Sequence, residues 1–555
     1  MSRPRPQIVL GSLLLAALFV RVWGIWRYYY NPDEMEFLII AKADTLAEVW
    51  RRGLAELHPP LAQLIRHYVV MLTDDPLAQR FTSIAPGLVA VLGLYRFGVV
   101  LRGRRLGLVL AAVATFSPLA VSTSTTIRNY AFFTAFLFWA LASFVRYQER
   151  GATRDLVSFS VLMVLACASH FGGFLVAFVC GVHEGTRLAI ARRWTTLTRF
   201  AAAFVPLVLL GSLLALHYLA PGTSIPTWHR VMTSAGFIAP DSAGRARTAA
   251  AGFVAVFIPF VTFFGRVPLA IQALMLAGAV VLLGLHVVGL VRMFRVAPRV
   301  AALVLTASAV GLAASFTYVY PFGPTRHNAC WFPFLLLPLA YLFEPLVDRV
   351  GWLSIALLVP LSLGLVSTGI YAHYGEEFAL RRHDFDDGQQ WLQSRLRPGD
   401  AIVTGRVAAY FYFVYARDAG RTPYDGYGPV PYVNGSTVLA PFDPPSRPAV
   451  DWRAFHDDLA LQLADGANGN ANVWFVMYAW RNTEIWHLME CDPIRARIEN
   501  FMTRDGVVIF SIPRRELATF LRQTRDWESC YADYRPVIFA SAFEAYPWKS
   551  PTGSP

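Results

Sequence analysis

Apolar runs about 20 residues long recur through the first two thirds of this chain, separated by short arginine-rich segments. As a helix, a run of that length crosses the roughly 30 Å hydrocarbon core of a bilayer. Composition agrees. Of 555 residues, 55% are hydrophobic and 15% charged, against about 25% charged in soluble domains, and mean hydropathy is +0.43. The chain reads as a polytopic α-helical membrane protein. No small-residue cleavage site follows the first run, Ile8 to Trp26, so it is expected to be a retained helix and not a signal peptide.

The arginines set the expected threading. They cluster at Arg3/Arg5, Arg102/Arg104/Arg105, Arg146/Arg150/Arg154, Arg187/Arg192/Arg193 and Arg292/Arg295/Arg299. Short arginine-rich loops stay in the cytoplasm. The net charge of +12 is therefore read as loop charge, not as nucleic-acid binding. About eleven spans follow: 8–27, 81–101, 106–122, 130–147, two short helices within 156–186, then 200–220, 268–292, 300–320, 330–347 and 352–372. The pair within 156–186 is expected to break near Ser169-His170-Phe171-Gly172-Gly173. Residues 250–265 are expected to lie at the outer interface. The N-terminus falls inside and the tail outside, in a cell inner (cytoplasmic) membrane. No internal repeat is evident, unlike many transporters.

Domain 1–374 is thus the transmembrane part, with a long first outer loop at 28–79. Residues 375–555 form a second domain. Its apolar runs, at 401–403, 473–477 and 507–510, have strand length. Helical stretches at 385–395 and 484–500 alternate with them, so a small extracytoplasmic α/β domain fits. Segment 418–450 is rich in Pro, Gly and Tyr and reads as a long loop. Cys491 and Cys530 lie in this tail; they are the cysteines that a disulfide would use if the tail is outside the cytoplasm.

The first outer loop holds amphipathic stretches at 35–50 and 60–72, with Pro59 and Pro60 tolerated at the first turn of the second. The same threading brings Asp33-Glu34, His58, Arg80, Arg128 and Tyr130, His170, Trp228-His229 and Arg326-His327 to one face. One carboxylate pair meets several cations there. Ionisable groups at membrane depth are costly, so function is the default reading. Bland readings stand beside it. The acidic pair also suits a helix N-cap, Arg80 and Arg128 suit snorkelling, Trp228 suits an interface anchor, and Arg326 suits a turn charge. His170 suits a satisfied core histidine better than a functional one. A lipid phosphate needs Arg or His to neutralise it. An acceptor attacking a sugar on that phosphate needs a carboxylate to take its proton, and the leaving phosphate needs cations. Asp33 suits the first role; His58, Arg128 and Arg326 suit the second. A metal site from Glu34 and His58 lacks ligand spacing, and a divalent ion stays an open cofactor question.

An ordered set of motifs resembles the bacterial lipid-sugar-dependent GT-C glycosyltransferases of families 39 and 83, which include protein O-mannosyltransferases and aminoarabinose transferases of lipid A. Asn31-Pro32-Asp33-Glu34 resembles the Asp-Glu motif and His58-Pro59-Pro60-Leu61 the His-Pro-Pro-Leu motif. Arg80, Arg102-Gly103-Arg104-Arg105, Ser117-Pro118 and Arg128-Asn129-Tyr130 follow in family order, then Thr325-Arg326-His327 before Phe332-Pro333-Phe334. The chain departs from the family in having Met35-Glu36-Phe37 where Arg-Tyr often follows Asp-Glu. The resemblance implies a GT-C-like fold with Asp33 as catalytic base and Glu34 supporting it. It places His58 where aminoarabinose transferases set a lysine against the carrier phosphate, with Arg128 and Arg326 facing the same group. His58, Arg80, Arg128, Tyr130, Arg326 and His327 are the candidates for donor-phosphate binding.

The expected activity is inverting transfer of a sugar from a polyprenyl-phosphate carrier to an unidentified acceptor (lipid, glycan or protein) at the outer face. The expected partners are that carrier-linked sugar and membrane lipids, with no nucleic acid. The alternative is a polytopic transporter or lipid flippase with a soluble outer domain.

Overall fold

The computed structural model describes residues 6–23, 32–55, 58–73, 75–218, 269–317, 319–322 and 326–345, with short stretches of the tail between 388 and 519. The expected span 352–372, the interfacial segment 250–265, Trp228-His229, Cys491 and Cys530 lie outside the described residues, as does 484–495 of the expected tail helix 484–500, whose last residues, 496–500, are not helix but turn leading into a strand that starts at Asn500. Two units emerge. One comprises 1–25 and 44–373, the other 26–43 and 374–555.

The first unit is helical. Its elements are α1 (Pro6–Val22), α3 (Leu46–Ala55), α4 (Leu61–Val70), α5 (Pro76–Arg102), α6 (Arg104–Phe116), α7 (Pro118–Thr125), α8 (Tyr130–Arg150), α9 (Thr153–Ser169) and α10 (Gly172–Ile190). They continue with α11 (Trp194–Ala202), α12 (Val205–Tyr218), α13 (Leu269–Val296), α14 (Pro298–Phe316) and α15 (Phe332–Phe343), with a 3-10 turn at Arg326–Cys330. Among the described residues, four helices are long and apolar enough to cross a membrane, or up to six if each bent pair counts as one span. This is a multi-pass membrane protein.

Local chemistry explains the boundaries. Asp75 caps α5 by accepting from the Ala78 N–H at 2.8 Å, and Pro76 takes the first turn, where its missing N–H costs nothing. At 27 residues, α5 is about 40 Å long. It ends at Gly103, whose φ of +100° suits glycine. The expected straight helix 106–122 is instead α6 and α7, bent by 61°. Pro118 ends α6 because its ring clashes with a carbonyl one turn back and it has no N–H to give. The expected helix 200–220 is likewise a bent pair, α11 and α12, at 41°. The two short helices expected within 156–186 are α9 and α10, which part at His170-Phe171 but are longer than expected, at 17 and 19 residues, with α10 long enough to cross a membrane.

α8 packs along α5 and α9, and α5 packs along α6. Small residues permit the closest approaches. A Cβ added at Gly98 on α5 would lie 2.7 Å from the Gly107 Cα on α6. Helices α5, α8, α9 and α10 run between two ends of the bundle. Arg102, Arg146, Arg150, Arg154 and Arg187 gather at one, while the breaks at 126–129 and 170–171 lie at the other. At the arginine end, Arg102 pairs with Glu344 at 2.7 Å, Arg146 with Asp155 at 3.3 Å and Arg187 with Glu184 at 2.5 Å.

The second unit contains α2 (Pro32–Ala41) and a six-stranded sheet of order β2-β3-β1-β4-β6-β5. The strands are β1 (Ala401–Thr404), β2 (Pro429–Val433), β3 (Ser436–Leu439), β4 (Asn472–Tyr478), β5 (Asn500–Arg504) and β6 (Val507–Pro513). β1 lies parallel to β3 and β4, and the other pairs are antiparallel. Two expectations need correction here. Segment 418–450 is not all loop, because β2 and β3 form a hairpin within it. The stretch 35–50 is not one helix: α2 ends at Ala41 and α3 begins at Leu46. Buried Asp400 accepts from the Arg397 N–H, the Asn472 N–H and the Trp474 indole at 2.8–2.9 Å, tying the chain before β1 to β4.

Candidate functional site

Three irregular segments of the first unit meet at the end of the bundle opposite the arginine clusters: the turn 126–129, the break 170–171 and the 3-10 turn Arg326–Cys330. Irregular backbone at membrane depth persists only where its polar groups find partners. Here side chains supply them. Asn129 donates to the Ser169 carbonyl at 2.8 Å, which closes the end of α9. Arg80, from α5, donates to the Thr125 carbonyl at 2.9 Å. Arg66, from α4, donates to the carbonyl of Arg128 itself. At the α6–α7 bend, buried Arg21 donates to the Ala114 and Thr115 carbonyls and to the Ser124 hydroxyl.

The candidate side chains gather around His170, which is fully buried. Its ring centroid lies 4.9 Å from Tyr130, 5.0 Å from Phe133, 5.7 Å from His58 and 5.9 Å from His327. Its Nδ1 accepts the Gly172 N–H at 3.0 Å, so the neutral ring carries its proton on Nε2. Gly172 makes this approach feasible. A Cβ there would meet the Cys330 Cβ and the Tyr320 hydroxyl at 2.9 Å and the His170 Nδ1 at 3.0 Å.

His58 lies in the loop just before α4, and Arg128 in the turn before α8. The Arg128 Nη2 is 3.4 Å from the His58 Nε2. Tyr130 places its hydroxyl 3.4 Å from the His327 Nδ1, and the Arg326 guanidinium sits over the Tyr130 ring at 5.7 Å. Burial pushes the His58 imidazole well below its ordinary range, and the charge of Arg128, then His170, His327 and Arg326, pushes it further. His170, in the turn between α9 and α10, is held down to about 3 by burial and then by Arg128 and Arg326. His58 and His170 therefore act as neutral hydrogen-bonding groups, and the cluster's guanidiniums come from Arg128 and Arg326.

His58, Arg128, Tyr130, Arg326 and His327 thus come together from sequence positions 58 to 327. Arg80 is buried beside them, holding the backbone of the same turn. Asp33 and Glu34 lie on α2 in the other unit; Glu34 is buried, and the Asp33 side chain lies outside the described residues. Among the described residues, no group of three or more His, Cys, Asp or Glu converges with metal-holding geometry. Sequence reasoning did not single out Arg66 or Tyr320, and it brought His170 to this face but favoured a satisfied core histidine over a functional one. His170 did carry a signal, since it stands in the expected helix break.

Residues 57–221, which carry His58, Arg66, Arg80, Arg128, Tyr130 and His170, match the dolichyl-phosphate-mannose-protein mannosyltransferase family. ArnT from Cupriavidus metallidurans, solved with undecaprenyl phosphate, aligns with a TM-score of 0.51 and 12% identity over 91% of this chain and 97% of that one. An Archaeoglobus fulgidus oligosaccharyltransferase, solved with Zn and sulfate, aligns at 0.46 and 11% identity over 90% and 72%. The Saccharomyces cerevisiae Pmt1-Pmt2 complex with its sugar donor aligns at 0.30 and 18% identity over 46% and 37%. No curated protein matches the sequence significantly. The chain is thus similar to the dolichyl-phosphate-mannose-protein mannosyltransferase family over residues 57–221, and it shares the fold of ArnT over most of its length.

Proposed function

We propose that this glycosyltransferase moves a sugar from a polyprenyl-phosphate carrier to an acceptor at the outer face of the cytoplasmic membrane. The observation that carries the reading is the buried convergence of His58, Arg128, Tyr130 and His327 with Arg326. A phosphodiester donor carries one negative charge, and the lipid phosphate that leaves carries up to two. Guanidiniums placed beforehand hold the second charge as it develops, which favours the transition state over the ground state. The neutral imidazoles and the Tyr130 hydroxyl add hydrogen bonds without adding charge.

In the reaction, an acceptor O–H or N–H attacks the anomeric carbon from the face opposite the phosphate. The new bond to the sugar forms as the C–O bond to phosphate breaks, inverting the anomeric centre. The acceptor proton passes to the Asp33 carboxylate, with Glu34 supporting it. The lipid phosphate departs onto Arg128 and Arg326. The support for Asp33 is its place in the Asn31-Pro32-Asp33-Glu34 motif and the need for a base. ArnT, solved with undecaprenyl phosphate, supports the class of carrier, and the arginine-rich ends opposite the site support the outer face.

The test is deletion of the gene in its host, with mass spectrometry of envelope lipids, glycans and proteins. A sugar missing from one class and restored by wild type, but not by equally expressed D33N or R128M, is the expected result. Unchanged glycoconjugates on deletion would overturn the reading.

A further inference from the structure

Arg66 touches neither the His58 ring nor the Arg128 guanidinium in any bond described above, yet it is fixed to the segments that carry both. It stands on α4, a 10-residue helix that starts three residues after His58. Its guanidinium is fully buried and committed in several directions. Nε donates to the Thr82 hydroxyl at 3.0 Å, and Nη2 donates to the Ser83 hydroxyl at 2.8 Å and to the Arg128 carbonyl at 2.5 Å. Thr82 in turn donates to the Gln79 carbonyl at 2.6 Å, and the guanidinium plane meets the Phe132 ring from α8 at 5.3 Å. One side chain thus joins the His58 helix, α5 and the turn that presents Arg128. From the other side, Gly53 on α3 packs against Pro60, where a Cβ would come within 2.7 Å of the Pro60 Cβ.

We infer that Arg66 is a positioning residue: by bonding the Arg128 carbonyl from the helix that follows His58, it sets the His58–Arg128 spacing that receives the carrier phosphate. This rests on the function proposed above. Three features favour Arg over an ordinary buried donor. The fork satisfies a carbonyl and two hydroxyls at once. Its charge places a cation against a turn carbonyl, a charge-assisted bond stronger than a neutral one. The turn itself, whose Arg128 N–H reaches back to the Thr126 carbonyl at 2.8 Å, has no helical ladder to hold it. A displacement of about 1 Å in a reacting or binding group is enough to cost about a hundredfold.

The probe is undecaprenyl phosphate alone, with affinity measured on the full-length protein in detergent or nanodiscs for wild type, R66M, R128M and the double variant. Weakening of about tenfold or more in R66M is expected. No further loss is expected when R66M is added to R128M, because Arg66 acts through Arg128. T82V and S83A, which loosen the guanidinium without removing it, should each give a smaller loss that also disappears beside R128M. These two keep the test decisive if R66M fails to fold. Losses that multiply in the double variants, or unchanged affinity in T82V, S83A and a folded R66M, would overturn the positioning role. Failure of wild type to bind undecaprenyl phosphate would remove the proposed function, and the positioning role with it. Binding by wild type with multiplying losses would remove the positioning role alone.

Discussion

The Arg128 Nη2 stands 3.4 Å from the His58 Nε2 in a buried setting. Arginine has no acceptor, so the imidazole receives this contact and its proton rests on Nδ1. Burial, and then the charge of Arg128, oppose a second proton. The pair consequently presents one fixed cation and one neutral donor, not two cations.

That assignment predicts a flat pH response. Between pH 7 and 9 His58 stays neutral, while a phosphomonoester with a second pKa of about 6 is already ionised. Undecaprenyl-phosphate affinity should change by less than about threefold across this range. A marked loss as pH rises through 7–8 would instead identify a charged His58. Stability responds in the other direction. His58 and His170 have folded pKa values below the unfolded value, which is about 6.5. The unfolded chain therefore takes up protons that the folded chain refuses. Their contribution is complete above about pH 6.5 and is lost as pH falls below it, for His170 down toward about 3. Melting temperatures of H58Q and H170Q should accordingly fall less steeply with acidification than that of wild type.

Gly172 gives a steric prediction at the same site. In G172A the new methyl meets Cys330, Tyr320 and the His170 Nδ1 at 2.9–3.0 Å, so His170 or the 3-10 turn must shift. Overpacking of this kind costs about 1–3 kcal/mol. A melting temperature lowered by several degrees should accompany weaker undecaprenyl-phosphate binding. G103A is the control, since nothing lies within 4 Å of its Cβ; its φ of +100° costs stability without touching the site, so carrier affinity should hold. Equal affinity in G172A and wild type would show that His170 does not organise the cluster.

Topology is testable at Gly151, between α8 and α9, on the arginine-rich end of the bundle. A single cysteine at this position, in a background free of native cysteines, should react with a membrane-impermeant maleimide only after the cells are permeabilised. Labelling in intact cells would reverse the orientation and move the proposed site to the cytoplasmic face.

Much of this site was legible because polar groups in an apolar chain stand out. His58, Arg128, Tyr130, Arg326 and His327 each sit where an apolar run begins or ends, so alternate threading alone gathers them. The break at His170 was legible because two glycines follow it, although the helices on either side run to 17 and 19 residues, beyond the 31-residue stretch that suggested short ones. Arg66 was not, because an arginine on a short amphipathic helix has the pattern of a surface charge, and only tertiary packing turns it inward. The bend at Pro118 carried its own signal, a proline after serine inside an apolar run, but apolar length outweighed it. β2 and β3 were hidden for a different reason. β2 carries Pro429 and Pro431, a residue type depleted from central strands, and β2 lies at the sheet edge, where proline is tolerated.

Asp400 gives a prediction for the second unit that is separable from carrier binding at the Arg128 cluster. Its carboxylate receives two backbone N–H groups and the Trp474 indole, and the residue is 2% exposed. D400A leaves three donors without this acceptor, the Trp474 indole buried and the two backbone N–H groups partly buried, at up to about 1–3 kcal/mol for the buried one and less where water enters. D400N keeps one carbonyl oxygen and brings an amide that donates toward groups that also donate, so it should lie between wild type and D400A. Trp474 packs edge-on against Trp391 at 5.9 Å, which makes tryptophan fluorescence a local reporter. D400A should shift emission to the red and make the tail a preferred site of limited proteolysis. Undecaprenyl-phosphate affinity should stay at the wild-type level, because the cluster around Arg128 belongs to the other unit. If D400A instead abolished carrier binding while the helical unit kept its melting transition, the carrier site would have to include the C-terminal domain.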